Sequence, residues 1–218
     1  VSPCDDGNPL TDDVCFQPCL HTPAIRRIPA GTFFMGCNLA VDPDCEGVEL
    51  PQHPVWVDQF AIDRTEVTVE SYRECMDTST CSSPDSGEGC TYGAAGSDHL
   101  AVNCVTWDQA AQYCSWAGKR LCSEAEWEMA ARGSCDQHPT GDCKDAMPRF
   151  PWGNEVPDCS RSVAHLAGCG GDVGPVGGLP DGASPYGIFD LAGNVDEWLG
   201  SVWRSSYTAY PGGGSPME

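Results

Sequence analysis

Fifteen cysteines spread along 218 residues constrain this chain more than any other feature, because every pair that closes pins a loop and removes conformations from the unfolded ensemble. They do not cluster as the tight pairs of metal knuckles, and His21, His53, His99, His138 and His165 stand apart from one another. Structural zinc is therefore not expected. Cysteines scattered through turn-rich sequence argue for disulfides and for an oxidising compartment: secreted, extracellular, at the cell surface or periplasmic. The simplest closures are between near neighbours, Cys37 with Cys45, Cys75 with Cys81 and Cys135 with Cys143, since short loops bring their ends within bonding reach. An odd total leaves at least one thiol without a partner in the chain.

A net charge of −21, from 32 acidic against 11 basic residues, sets up a field that repels phosphate backbones and anionic headgroups. Nucleic acid is not an expected partner. The apolar runs fall far short of the roughly twenty residues that a spanning helix needs, so no membrane insertion is expected. Val1 stands where an initiator methionine would, and the expectation is that the sequence begins after processing.

Residues 1–22 have a composition of their own, with Cys4-Asp5-Asp6-Gly7-Asn8-Pro9, Asp12-Asp13-Val14-Cys15 and Cys19. They lack an apolar period and are expected as a disulfide-pinned loop ahead of a main domain over 23–218. From 24 to 62 the β-formers Ile25, Ile28, Phe33, Phe34, Val55, Trp56, Val57, Phe60 and Ile62 predict two or three strands around a surface loop at 37–51. Thr68 caps a helix with Val69, Tyr72 and Met76 on one face. A long loop over 78–99, held by Cys81 and Cys90, separates it from a second helix opened by the capping box Thr106 and Gln109. That helix carries the apolar face Trp107, Ala110, Ala111, Cys114 and Ala117 and stops at Gly118. Ser123 with Glu126 caps a third helix, with Trp127, Ala130 and Ala131 inward and Gly133 as its stop. Beyond Gly133 the glycine-, proline- and cysteine-rich sequence predicts irregular structure.

The densest stretch is Tyr186-Gly187-Ile188-Phe189-Asp190-Leu191-Ala192-Gly193-Asn194-Val195-Asp196-Glu197-Trp198. Asp190, Asp196 and Glu197 offer hard oxygen ligands, and Gly193 permits a bend that lets carbonyl oxygens converge, which suits calcium. A plain glycine turn between two strands is the other reading of these residues.

This stretch resembles the Gly-Asn-x-x-Glu-Trp signature of the formylglycine-generating enzyme, or sulfatase-modifying factor, family. Four more stretches match that family in the same order: Ile28-Pro29-Ala30-Gly31-Thr32-Phe33-Phe34-Met35-Gly36; Asp63-Arg64-Thr65-Glu66-Val67-Thr68; Gly118-Lys119-Arg120-Leu121 with Glu124-Ala125-Glu126-Trp127; and Phe150-Pro151-Trp152-Gly153. The resemblance spans residues 25–203. It implies a compact α+β fold related to C-type lectins, with few short helices and strands and long loops braced by calcium and disulfides. Its better-defined calcium site carries over to the Asp190 and Glu197 side chains and the Gly193 and Val195 carbonyls. The family's second calcium site falls near His165 and residues 168–172, where the needed oxygen side chains are missing, and is expected empty or remodelled.

Two departures bear on function. Where the family usually has a tryptophan lining its peptide groove, this chain has Asp196. In the enzymes, two copper-binding cysteines follow an Arg-Gly-Gly-Ser motif, whereas Gly212-Gly213-Gly214-Ser215 lacks the arginine and reads as a linker. The resemblance also implies that Cys114, whose family counterpart bonds to that C-terminal segment, is the odd thiol, free or bonded to a second chain. Cys104 and Cys122 flank the capped helices and could meet in space as a substitute for the copper-binding pair, although nothing in their spacing sets them apart from structural partners. Two function classes follow. One is a calcium-stabilised structural or binding module for a protein or glycan ligand, with no catalytic residues of its own. The other is a formylglycine-generating oxidase using copper, with its catalytic segment beyond Glu218 or on another chain. The sequence after Glu218 would discriminate between them.

Overall fold

The computed structural model describes residues 9–14, 20–138, 141–162, 169 and 171–207. Its strands come in three antiparallel pairs. β1 (Thr11–Val14) pairs β2 (Leu20–Pro23), β3 (Ile25–Ile28) pairs β6 (Phe60–Asp63), and β4 (Gly31–Met35) pairs β5 (His53–Val57). The first pair corrects the expectation of a loop within residues 1–22: a strand ladder satisfies the backbone groups there without needing an apolar period. Ala24 N–H donating to the Leu10 carbonyl at 2.7 Å ties this hairpin to the strands that follow. Cys4, Cys15 and Cys19 lie outside the described residues, as do His165 and residues 212–215.

In β4 the side chains alternate, so Phe33 and Met35 point inward, and the register sets Phe33 opposite Val55 and Gly31 opposite Val57. These residues pack on Met129 and Ala130 to form the main core. At roughly 1.5–3 kcal/mol for each large apolar side chain buried, this layer is the principal stabilising contact of the domain.

The three helices form where their caps predict. α1 (Val69–Asp77) is capped by Thr68, α2 (Trp107–Trp116) by the Thr106–Gln109 box, and α3 (Glu124–Arg132) by the Ser123–Glu126 box, with Gly133 at its end. A one-turn helix, α4 (Cys143–Ala146), follows. Ser123 is fully buried and its hydroxyl accepts from the Glu126 N–H. Ser123→Ala is expected to cost about 1–2 kcal/mol, because it orphans that donor inside the protein. Thermal melting of the variant, several degrees lower, checks this, and an unchanged midpoint would contradict it.

The apolar face of α2 departs from expectation. Its buried residue is Tyr113, stacked on Tyr72 at 5.7 Å in a second, smaller core with the Cys75–Cys81 disulfide. Trp107 is 45% exposed, and Ala110, Cys114 and Ala117 wall an open cleft. An apolar stripe asks for cover without saying which surface provides it. On α3, Ala130 and Ala131 are buried as expected, while Trp127 is half-buried at the cleft rim, so it is not a simple core residue.

Five disulfides are present among the described residues: Cys37–Cys45, Cys75–Cys81, Cys90–Cys104, Cys135–Cys143 and Cys159–Cys169. The three local pairs expected from spacing all form. Cys104 bonds Cys90 and so offers no thiol for a substitute copper-binding pair with Cys122. Cys114 and Cys122 remain as thiols. These bonds are compatible with an extracellular or periplasmic location, and no helix among the described residues is long and apolar enough to cross a membrane.

Candidate metal centre and ligand cleft

The stretch from Tyr186 to Trp198 has no regular secondary structure. Ile188 and Leu191 sink into the main core and fix its ends against α3. Between them and Trp198 the backbone turns through left-handed conformations at Asp190 (φ 61°), Gly193 (φ 109°) and Asn194 (φ 62°). The Gly193 value is one that a side chain would make costly, which explains a glycine there. The polar side chains then hold the turn. Asp190 Oδ2 accepts from the Gly177 N–H at 2.6 Å, Asn194 Oδ1 from the Gly174 N–H at 2.9 Å, and Glu197 Oε2 from the Trp127 indole at 2.6 Å. Trp198 donates its indole N–H to the Val105 carbonyl at 2.9 Å.

Asp190, Gly193, Val195 and Glu197 all line one cavity of about 270 Å³, with Asp196 and Trp127 beside them. The structure thus brings together the four residues read from the sequence as calcium ligands. Their electrostatics suit a cation. Burial pushes Asp190 above the usual carboxylate range. Glu197 is pushed up to about 7, first by the protein packed around its carboxyl and then by Asp190 and Asp63, against the Trp127 hydrogen bond. Glu197 is nevertheless exposed on its cleft side, so water weakens that effect.

Glu66, which precedes α1, belongs to the same group of acids. Its Oε2 accepts from Asn194 Nδ2 at 3.0 Å, and its Oε1 is buried without a hydrogen-bond partner. Burial, then repulsion from Asp190 and Glu197, drives it up to about 9. Calcium takes six to eight hard oxygens, and among the described residues no group of three or more His, Cys, Asp or Glu side chains is arranged to hold a metal ion, so a cation here would depend on the carbonyls of the loop.

A larger cleft of about 620 Å³ adjoins this cavity and shares Trp127, Val195, Asp196 and Glu197 with it. Its walls come from β6, the inner face of α2, the segment 118–122 and the signature loop. Lys119 Nζ meets Asp63 Oδ1 at 2.6 Å. Arg120 grips Glu126 through two bonds of 2.8 and 2.6 Å. Burial raises the Glu126 carboxyl, but that guanidinium and the Ser123 N–H and hydroxyl outweigh it and hold the group below its usual range.

Both thiols line this cleft. Burial and the nearby Asp63 push Cys114 up to about 11; burial and Glu126 push Cys122 up to about 12. Copper(I) is selected by thiolates, so an ion bound here would have to displace both thiol protons.

Residues 12–216 match the family profile of the sulfatase-modifying factor enzyme 1-like domain. The chain belongs to the sulfatase-modifying factor family. It is 39% identical to a formylglycine-generating enzyme of Thermomonospora curvata over 51% of this chain and 36% of that protein. It is 32% identical to a hercynine oxygenase of Mycolicibacterium smegmatis over 81% of this chain and 45% of that protein. To the inactive C-alpha-formylglycine-generating enzyme 2 of Mus musculus it is 27% identical, over 84% of this chain and 70% of that protein. The solved structure of PvdO from Pseudomonas aeruginosa superposes with a TM-score of 0.72 at 28% identity, over 97% of this chain and 82% of that one. The chain thus spans less than half the length of the first two relatives.

Among its family stretches, the one containing Glu66 was quoted in the sequence for resemblance alone, yet it reaches the site. Asn194 and Trp127 were likewise missed as site residues. A signal for Glu66 was present: a carboxylate directly beside Val67 in a segment leading into a capped helix interrupts a run destined for burial. Nothing in the local pattern marked Asn194 or Trp127 as partners of residues 128 and 70 positions away.

Proposed function

We propose that this sulfatase-modifying factor domain works as a secreted, calcium-stabilised structural or binding module, receiving a protein or glycan ligand in its 620 Å³ cleft without cysteine-oxidising chemistry of its own. The observation that carries this reading is the state of the cysteines lining the cleft. Ten of the described cysteines are spent in disulfides, and the two thiols on the cleft wall, Cys114 and Cys122, sit where burial and neighbouring carboxylates disfavour the thiolate that nucleophilic attack needs. Asp196 points the same way, placing an acidic residue on the cleft wall where the family's peptide groove has a flat aromatic surface. Calcium would be held by Asp190, Gly193, Val195 and Glu197 and would brace the loop against α3. Cys114 offers a point of attachment to a second chain.

Incubation of the purified chain with copper(I), oxygen and a Cys-x-Pro-x-Arg peptide is expected to leave the peptide mass unchanged. Conversion of the cysteine to an aldehyde, lost on substituting Cys114 or Cys122, would establish the oxidase reading to which the formylglycine-generating relatives point. For the calcium component, excess chelator is expected to lower the melting temperature, because a ligand that binds only the folded state stabilises it. A melting curve insensitive to both chelator and added calcium would remove calcium from the proposal.

A further inference from the structure

Two stretches of chain meet beside the cleft and leave four large apolar side chains uncovered. The Trp107 indole donates to the Leu199 carbonyl and the Trp198 indole to the Val105 carbonyl, both at 2.9 Å. These crossed bonds hold the start of α2 against residues 198–199, and Gly200 N–H, donating to the Cys122 carbonyl at 2.7 Å, fixes the segment that follows. Trp107 and Trp198 nevertheless keep about half of their surface in solvent, and Val202 and Trp203 are 67% and 75% exposed. A monomer rarely leaves that much apolar surface together without a use for it. Both indole N–H groups are spent on carbonyls within the protein, so what Trp107 and Trp198 offer a partner is their ring faces. The charge of this edge is one-sided: residues 105–108 and 196–204 carry Asp108, Asp196 and Glu197 against Arg204. Asp108 and Asp196 are exposed and make no ion pair among the described residues. The two bases on the adjoining cleft, Lys119 and Arg120, are already paired with Asp63 and Glu126, so neither is free to draw an acidic partner.

We propose that this edge, formed by Trp107, Trp198, Val202 and Trp203 with Asp108 and Asp196, docks an extended, arginine-containing segment of another protein. The inference rests on the binding-module reading above, whose partner it names. A guanidinium carries five N–H donors and no acceptor, so it complements an edge whose free polar side chains are carboxylates, and its plane stacks on indole faces. Aliphatic side chains next to the arginine cover Val202 and the rings. The net charge of −21 draws a basic partner in and pushes a second copy of this chain away. A neutral glycan can stack on indoles too, but it gains nothing from that field, and this favours the basic segment.

Fluorescence anisotropy with a labelled Gly-Arg-Leu-Arg-Leu-Arg-Gly peptide tests this, beside the same peptide with glutamate for arginine and, by tryptophan fluorescence, a neutral glucan hexasaccharide. The arginine peptide is expected to bind, less tightly as salt rises, and the other two are not. Trp203→Ala, which removes an exposed ring, is expected to bind the arginine peptide at least about fivefold more weakly. Asp196→Asn is expected to weaken binding and flatten its salt dependence. Ala110→Trp, which narrows the cleft, is expected to leave binding unchanged; loss in that variant alone places the peptide in the cleft and overturns the edge. Equal binding by wild type and Trp203→Ala overturns the docking surface, as does absence of binding by wild type. Either result leaves the binding-module reading standing, since the oxidase assay tests that separately. A dimer in sedimentation that Trp203→Ala abolishes assigns the edge to a second copy, and hexasaccharide binding that Trp203→Ala abolishes assigns it to a glycan; each overturns the proposal.

Discussion

A reducing agent is expected to unfold this domain at room temperature. The five described disulfides close loops with sequence separations of 6 to 14 residues. In the chain-entropy account each such loop is worth about 2–3 kcal/mol. Together they amount to on the order of 10 kcal/mol, the same size as the whole stability of a typical domain. The described structure has little else to fall back on, with strands of four or five residues and helices of ten or fewer. Cys75 and Cys81 sit inside the second core against Tyr72 and Tyr113, so their bond should be the last to be reduced. Melting followed by circular dichroism, with and without dithiothreitol, should show a loss of roughly 20 °C or more. A reduced protein that melts near the oxidised one would show that the packed core alone suffices.

The second large effect is an inverted dependence on pH when calcium is absent. Glu66 is pushed up to about 9 by burial and by its acidic neighbours, and Asp190 is raised by burial. A carboxyl with a raised value in the folded state holds its proton longer there than in the unfolded chain. Stability is then fully present below the unfolded value near 4.5 and is lost as pH rises through the folded value. In chelator the domain should accordingly be most stable near pH 5 and lose on the order of a few kcal/mol between pH 5 and 9. Saturating calcium should abolish much of that loss, since the cation replaces the proton as the positive charge between the carboxyls. Glu66→Gln should flatten the chelator curve by removing the group that titrates. Melting temperatures rising from pH 5 to 9 in chelator would contradict the electrostatics of the cluster.

The helices, their caps and the three local disulfides were legible because each depends on residues within one or two turns of chain. Ser123 meets Glu126 three positions on, and Cys37 finds Cys45 eight positions on. The four signature residues that line the small cavity were legible for the same reason, being carried by one loop. The bond between Cys90 and Cys104 was not, because several partners at similar separations were open to either cysteine. The role of Trp127 was misjudged because helical periodicity reports which face is apolar and not where the neighbouring loop leaves that face uncovered.

Taken alone, the amino-acid sequence determined the oxidised, loop-rich α+β character of this protein, its helix boundaries and the acidic turn at 190–197, since spacing along the chain encodes all of these directly. The tertiary structure alone decided that Glu66 lies against Asp190 and Asn194, that Trp127 reaches Glu197, and that both free thiols line the wall of one cleft. These depend on how the end of β6, the face of α2 and the signature loop come together across more than a hundred residues. Charge repulsion and desolvation act through space, so the groups they couple cannot be read from their order in the chain.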